Sequence, residues 1–214
     1  MSTPRIPACA PLALAALLSI VCHAAAATEF VVSGTLSVNG NAGALPDGGT
    51  FGDSTYDPST GALSQGAFIF PQTTTSFPSD LGTVAVTYTL SQTNTSTGLV
   101  APDGTAALTN ASLKLNVTHV TISGIPISVG TCVFQPIDIA LAGTGSATGL
   151  DLAETGFTIP EVAPTDCGGN GDQINQAIAG TNNAIEVVMA GDFAPPADSD
   201  TIFADGFEAG AGAD

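Results

Sequence analysis

Positive charge is almost missing from this chain: Lys and Arg together number two, against 19 acidic residues. A surface of that sign repels phosphate, which excludes nucleic acid and anionic lipid head groups as partners. Charge of either sign is sparse, at 10% of residues, so no acidic run is dense enough to force disorder. Tryptophan is absent, and histidine occurs only at His23 and His119. Cysteine is limited to Cys9, Cys22, Cys132 and Cys167, with no Cys-x-x-Cys spacing, which argues against a zinc ribbon or a dithiol redox pair. No Gly-x-Ser-x-Gly elbow accompanies the serines.

Long apolar runs are lacking too. The longest, residues 8–21, falls short of the about 20 residues that a membrane span needs. It follows Arg5 and ends in Ala24-Ala25-Ala26-Ala27. A basic start, a short apolar middle and an Ala-x-Ala exit predict a secretory signal peptide over residues 1–27. Cys22 follows Ser19-Ile20-Val21 and lacks the small residue that lipid attachment requires just before it. The expectation is plain export to the periplasm, cell surface or medium, with no transmembrane segment after cleavage. Lys114 is then the only basic residue, and Cys132 and Cys167 the only cysteines. Two cysteines in an exported chain are expected to pair. Closing a loop of about 35 residues adds on the order of 3–4 kcal/mol by restricting the unfolded chain.

What is present is strand and turn chemistry. Val84, Val86, Tyr88 and Leu90 alternate with Thr83, Ala85, Thr87 and Thr89, and Leu113, Leu115 and Val117 alternate with Ser112, Lys114 and Asn116. Phe30, Val32, Leu36 and Val38 share one parity, as do Ile137, Ile139 and Leu141, and Ile185, Val187 and Met189. Period-2 faces of this kind need burial against another sheet surface. The turns agree: Pro46-Asp47-Gly48-Gly49, Asp57-Pro58-Ser59-Thr60-Gly61 and Pro102-Asp103-Gly104-Thr105 combine proline, a hydrogen-bonding side chain and glycine. Residues 55–63 and 97–108 both read as hairpins. One short helix is predicted over residues 173–179, capped by Asp172 and closed by Gly180, with Ile174 and Ile178 on one face. The predicted architecture is an all-β domain over residues 28–193, a Greek-key or jelly-roll-like β-sandwich with one short helix. A flexible acidic tail over residues 194–214 follows it.

Candidate chemistry is thin. The parity of Leu113, Leu115 and Val117 breaks at His119, since Val120 and Ile122 take the opposite phase. Either a β-bulge falls near Thr118-His119 or the strand becomes buried on both faces there, and His119 is expected to be partly buried or at a strand edge. Asp151 with Glu154, and Glu161 with Asp166, are the carboxylate pairs available for acid–base work, but each lies among turn residues where capping is the ordinary role. Calcium is the one ion that oxygen-rich loops of this kind suit. Asp198-Ser199-Asp200 opens like an EF-hand loop, but Asp205-Gly206 comes too late to complete one.

The chain ends on Asp200-Thr201-Ile202-Phe203-Ala204-Asp205-Gly206-Phe207-Glu208. This run resembles a recurrent C-terminal ending, D-x-I-F-x-D-G-F-E, on exported proteins of some Gram-negative bacteria. The resemblance implies a terminal address read by another protein through Ile202, Phe203, Asp205, Gly206, Phe207 and Glu208. The body is similar to uncharacterised exported β-proteins of high-GC bacteria, through residues 129–141, 155–160 and 165–169. That similarity implies a β fold and the Cys132–Cys167 pairing, and carries no activity. The expected function is a secreted non-catalytic module for surface structure, adhesion or ligand binding, with a protein or surface ligand as partner and no cofactor. The alternative is a secreted hydrolase using loop carboxylates or His119.

Overall fold

A computed structural model describes residues 28–79 and 82–197. The chain runs through β1 (Thr28–Val38), β2 (Asn41–Ala44), β3 (Gly49–Ser54), β4 (Tyr56–Asp57), β5 (Ala62–Ile69), β6 (Thr73–Ser79), β7 (Gly82–Gln92), β8 (Ser96–Val100), β9 (Thr105–Ile122), β10 (Ile125–Ile127), β11 (Val133–Ser146) and β12 (Gly149–Ile159). Two helices follow, α1 (Asp166–Gly169) and α2 (Gly171–Ile178), and then β13 (Gly180–Ala190).

The alternating segments are strands, but they do not form a sandwich. They close into an eight-stranded β-barrel. β2 with β3, β5 with β6, and β7 with β8 each behave as one interrupted stave. β7 and β8 continue a single ladder along β9, from Val84 opposite Ile122 to Val100 opposite Ala106. Each stave then pairs antiparallel with the next in sequence, and β13 returns to β1, with Val32 opposite Met189 and Ser37 opposite Ala184. The topology is an up-and-down meander that closes on itself, leaving β2 and β6 unpaired with each other. Sandwich and barrel require the same alternation of side chains. The difference lies in curvature. Ladder irregularities beside Tyr88, between Phe134 and Ile137, between Ile139 and Leu141, and between Thr155 and Phe157 bend the staves around. Bulges increase local twist and bend the bulged strand, which favours closure over two facing sheets.

Large apolar side chains fill the inside. Phe51, Phe68, Phe134, Phe193, Leu108 and Leu141 are among the most completely buried. Gly66 makes room for one of them, since a Cβ there would lie 2.4 Å from the Phe51 ring. On β9, β11 and β12 the outer faces are small or polar: Thr105, Ala107, Thr109, Asp138, Ala140, Ala142, Asp151, Ala153 and Thr155 are all exposed, whereas Val31 on β1, Ile69 on β5, Leu99 on β8 and Val188 on β13 are exposed apolar side chains.

The two hairpins predicted from turn chemistry are present, with Tyr56 opposite Leu63 and Val100 opposite Ala106. Asp57 accepts hydrogen bonds from the Ser59 amide and hydroxyl and the Thr60 hydroxyl, at 2.9, 2.6 and 2.8 Å. Asp103 accepts from the Thr105 amide and hydroxyl at 2.9 and 2.7 Å. These donors hold both carboxyls below the usual aspartate range. Phe193 is fully buried and its amide bonds the Ser146 carbonyl at 2.8 Å, so the barrel end is sealed by the segment leaving β13. Pro196 is buried as well.

Candidate functional site

The end of the barrel opposite Phe193 is where the single long connection crosses. β12 and β13 are joined not by a hairpin but by residues 160–179, which carry both helices over the mouth. This segment is fastened at its start. Cys132 and Cys167 are bonded across a Cα–Cα distance of 4.3 Å, the Cys167 amide donates to the Thr131 carbonyl at 3.0 Å, and Asn170 Nδ2 donates to the Ser128 carbonyl at 2.9 Å. Gly168 permits the close approach. Its φ is +68°, and a Cβ there would sit 2.4 Å from the Ser128 carbonyl oxygen.

The helix differs in detail from the sequence expectation. α2 starts at Gly171 behind Asn170, with Asp172 inside its first turn, and the chain turns extended at Ala179. Asp172 therefore complements the positive helix end rather than capping it. Ile174 and Ile178 do share the buried face. Between them, Asn175 is buried yet paired at both its nitrogen and its oxygen. Its Nδ2 donates to the Val162 carbonyl at 2.9 Å, and its Oδ1 accepts from the Val162 amide at 3.0 Å. A second buried amide, Asn183, donates to the carbonyls of Phe157 and Gly180 at 3.0 and 2.7 Å and accepts from the Asn39 amide at 3.0 Å. Buried amides matched on both ends fix the crossing segment in one place. Sequence reasoning missed both, although an asparagine in phase with apolar neighbours, as at 183 before Ile185 and Val187, is a readable signal.

Two apolar clefts flank α2. One, of about 60 Å³, lies between β2, β6 and α2 and is lined by Leu36, Val38, Phe77, Tyr88, Leu115 and Ile178 among others. The second, of about 210 Å³, lies on the other side of the helix against Val84, Val120, Ile122, Ile127 and Ile174. They share Val86, Ala177 and Ile178. No charged side chain lines either cleft. The first opens where the barrel wall is split: β2 pairs only with β1 and β6 only with β7, and their other edges face across the gap at Gly43 and Thr75. Tyr88 is 6% exposed, and burial pushes its phenol above the usual tyrosine range.

The predicted catalytic candidates are elsewhere and apart. His119 is exposed on β9 opposite Thr87, and the ladder slips beside it, which is the bulge reading of the parity break and not burial on both faces. Glu154 serves the backbone: its carboxylate accepts the Ala140 amide at 2.5 Å, beside the irregularity between Ile139 and Leu141. Asp151 is exposed on the outer face of β12, opposite Thr144. Asp166 accepts from the Ala163 amide at 3.2 Å inside its own turn, and Glu161 is exposed. Among the described residues no three His, Cys, Asp or Glu side chains gather where an ion could be held. Also among the described residues, no helix is long and apolar enough to cross a membrane. The tail candidates Ile202, Phe203, Asp205, Gly206, Phe207 and Glu208 lie outside the described residues, as do residues 1–27.

In comparisons with known proteins, no family model, no curated protein and no solved structure matches this chain.

Proposed function

We propose that this chain is an exported, non-catalytic β-barrel module that binds an apolar ligand at its helix-capped mouth, with the run Ile202–Glu208 serving as a terminal address. The carrying observation is the pair of uncharged apolar clefts on either side of α2. Ligand sites in barrels are expected at such mouths, and a mostly apolar lining with a few polar groups is their usual composition. The side chains capable of acid–base work are solvated on outer faces or bound to backbone amides, which supports binding over hydrolysis. On β9, β11 and β12 the outward Thr, Ala and Asp positions are the reverse of the apolar band that a membrane-spanning barrel presents to lipid. Export is supported by the leader-like residues 1–27 and the Cys132–Cys167 bond.

The test is saturable binding of the uncharged fluorophore N-phenyl-1-naphthylamine to the oxidised protein. Ala177→Trp places a large ring where the two clefts meet. It should abolish fluorescence enhancement while the melting temperature changes little. Absence of saturable binding by the unaltered protein refutes the module as a ligand binder.

A further inference from the structure

Tyr88 stands out at the mouth. It belongs to the apolar inward face of β7, between Val86 and Leu90, where phenylalanine would supply the same packing. A tyrosine at such a position ordinarily finds a partner for its hydroxyl. Here the Tyr88 hydroxyl has no hydrogen-bond partner among the described residues. Yet no described side-chain oxygen or nitrogen is sealed from solvent without a partner. The hydroxyl therefore opens onto free space, and the space that Tyr88 lines is the cleft between β2, β6 and α2. An otherwise buried side chain thus presents one polar atom to an apolar cleft.

We propose that this cleft is a binding site for an uncharged, mainly apolar molecule carrying one carbonyl-type acceptor, which the Tyr88 hydroxyl holds by donating a hydrogen bond. The inference rests on the ligand-binding reading above and names the ligand class for that site. Burial keeps the phenol protonated well above neutral pH, so it is available as a donor at any physiological pH. The acceptor must be neutral for two reasons. No charged side chain lines the cleft to pair with a carboxylate, and burying an unpaired charge is costly. The chain as a whole also carries a formal charge of -17, which disfavours anions. At about 60 Å³ the cleft is well below the about 150 Å³ of a cavity that encloses benzene, so it takes a head group and the first few carbons. A longer apolar chain has somewhere to go: over Val86, Ala177 and Ile178, the residues shared with the larger cleft. The facing edges of β2 and β6 are not paired with each other, so no hydrogen-bonded ladder has to break for a ligand to pass between them.

The experiment uses the full oxidised chain and three probes of one length, 2-octanone, 1-octene and octanoate, each displacing N-phenyl-1-naphthylamine. With the unaltered protein, 2-octanone should compete at lower concentration than 1-octene, and octanoate should be the weakest. In Tyr88→Phe the ketone should lose about three- to tenfold in affinity, the range of one net hydrogen bond, while 1-octene is unchanged. A second measurement needs no variant. The carbonyl stretch of bound 2-octanone should move to lower wavenumber than in heptane, as a phenol-bonded ketone does. Equal competition by ketone and alkene, or an unshifted carbonyl band, overturns the proposal and leaves the hydroxyl served by water only. Those results would spare the binding-module reading, whereas failure of the naphthylamine to bind at all would remove both.

Discussion

The two ends of the barrel are built differently, and the contrast separates what holds the fold from what is left for binding. At the end where β1 begins and β13 finishes, aromatic rings touch in series. Phe30 and Tyr56 both meet Phe193, at centroid distances of 4.8 and 5.3 Å, while Phe51 meets Phe68 at 4.8 Å and Phe68 meets Phe70 at 6.0 Å. Offset and tilted rings pack densely and add to the burial of their own area. At the other end the contents are mostly aliphatic, the wall is split between β2 and β6, and a covalently tethered helix stands in for the missing closure. One end is stabilised by filling, the other by fastening. A fastened end can keep open space beside its cap, which a filled end cannot.

The largest effect should come from emptying the filled end. Phe51→Ala removes a fully buried ring from a place where Gly66 already presses against it, and should cost about 3–5 kcal/mol in denaturant unfolding. Ile178→Ala, beside both clefts, should cost about 2 kcal/mol, at the lower edge for such a truncation, because its surroundings are already open. Equal costs would dissolve the distinction between the ends. Reducing Cys132–Cys167 should destabilise by about 2–4 kcal/mol. Its local signature sharpens the comparison: amide exchange should rise in α2 while the ladder between β1 and β3 keeps its protection. Uniform loss of protection would mean that the disulfide braces the whole barrel.

Next in size is Tyr56→Phe at the filled end. It deletes the hydrogen bond from the Tyr56 hydroxyl to the Ala194 carbonyl, 2.6 Å long, and keeps the ring against Phe193. A loss of about 0.5–1.5 kcal/mol is expected. Removal of residues 198–214, beyond the buried Pro196, should leave the melting temperature nearly unchanged. A large drop would place part of the tail in the fold.

Much of this was legible in the sequence, and the failures share one cause. The strand faces, the Asp57 and Asp103 hairpins, the Ile174/Ile178 face and the Cys132–Cys167 pair follow from local alternation, turn chemistry and composition, and the slip beside His119 is one of the two readings its broken parity allows. Closure does not. It depends on whether β13 reaches β1, which alternation leaves open because an inward-facing valine looks the same in a sandwich and in a barrel. The extra residues that curve the staves, near Pro136, Asn110 and Gly156, are of types that suit a turn as well as a bulge, so read singly they do not reveal one continuous curved stave. The site was hidden for a similar reason. Tyr88 sits in the clearest alternating strand of the chain and reads as core. Only the gap between β2 and β6, set by long-range pairing, shows that its hydroxyl faces open space. The carboxylates misled in the opposite direction, since Glu154 looks available until the Ala140 amide beside it is seen to need an acceptor.

The smallest expected effect is acid sensitivity confined to the filled end. Asp57 and Asp103 both lie in turns at that end, and each is held below the usual aspartate range, Asp57 chiefly by the Ser59 hydroxyl and Asp103 chiefly by the Thr105 hydroxyl. A lowered native pKa means that the folded protein keeps these charges at acidities where the unfolded chain has taken up protons. Their contribution is therefore complete above the ordinary aspartate value of 3.8 and is lost as the pH falls through the lowered native values. Because both side chains are solvent-exposed, the change in melting temperature should be small. Combining Asp57→Asn with Asp103→Asn should flatten the decline in melting temperature below pH 4 relative to the unaltered protein. Amide exchange at Thr60, Gly61 and Thr105 should rise with acid before exchange in α2 does. If α2 loosens first, or if the double variant follows the same acid profile, the two turns are not what acid attacks and the filled end is held by its rings alone.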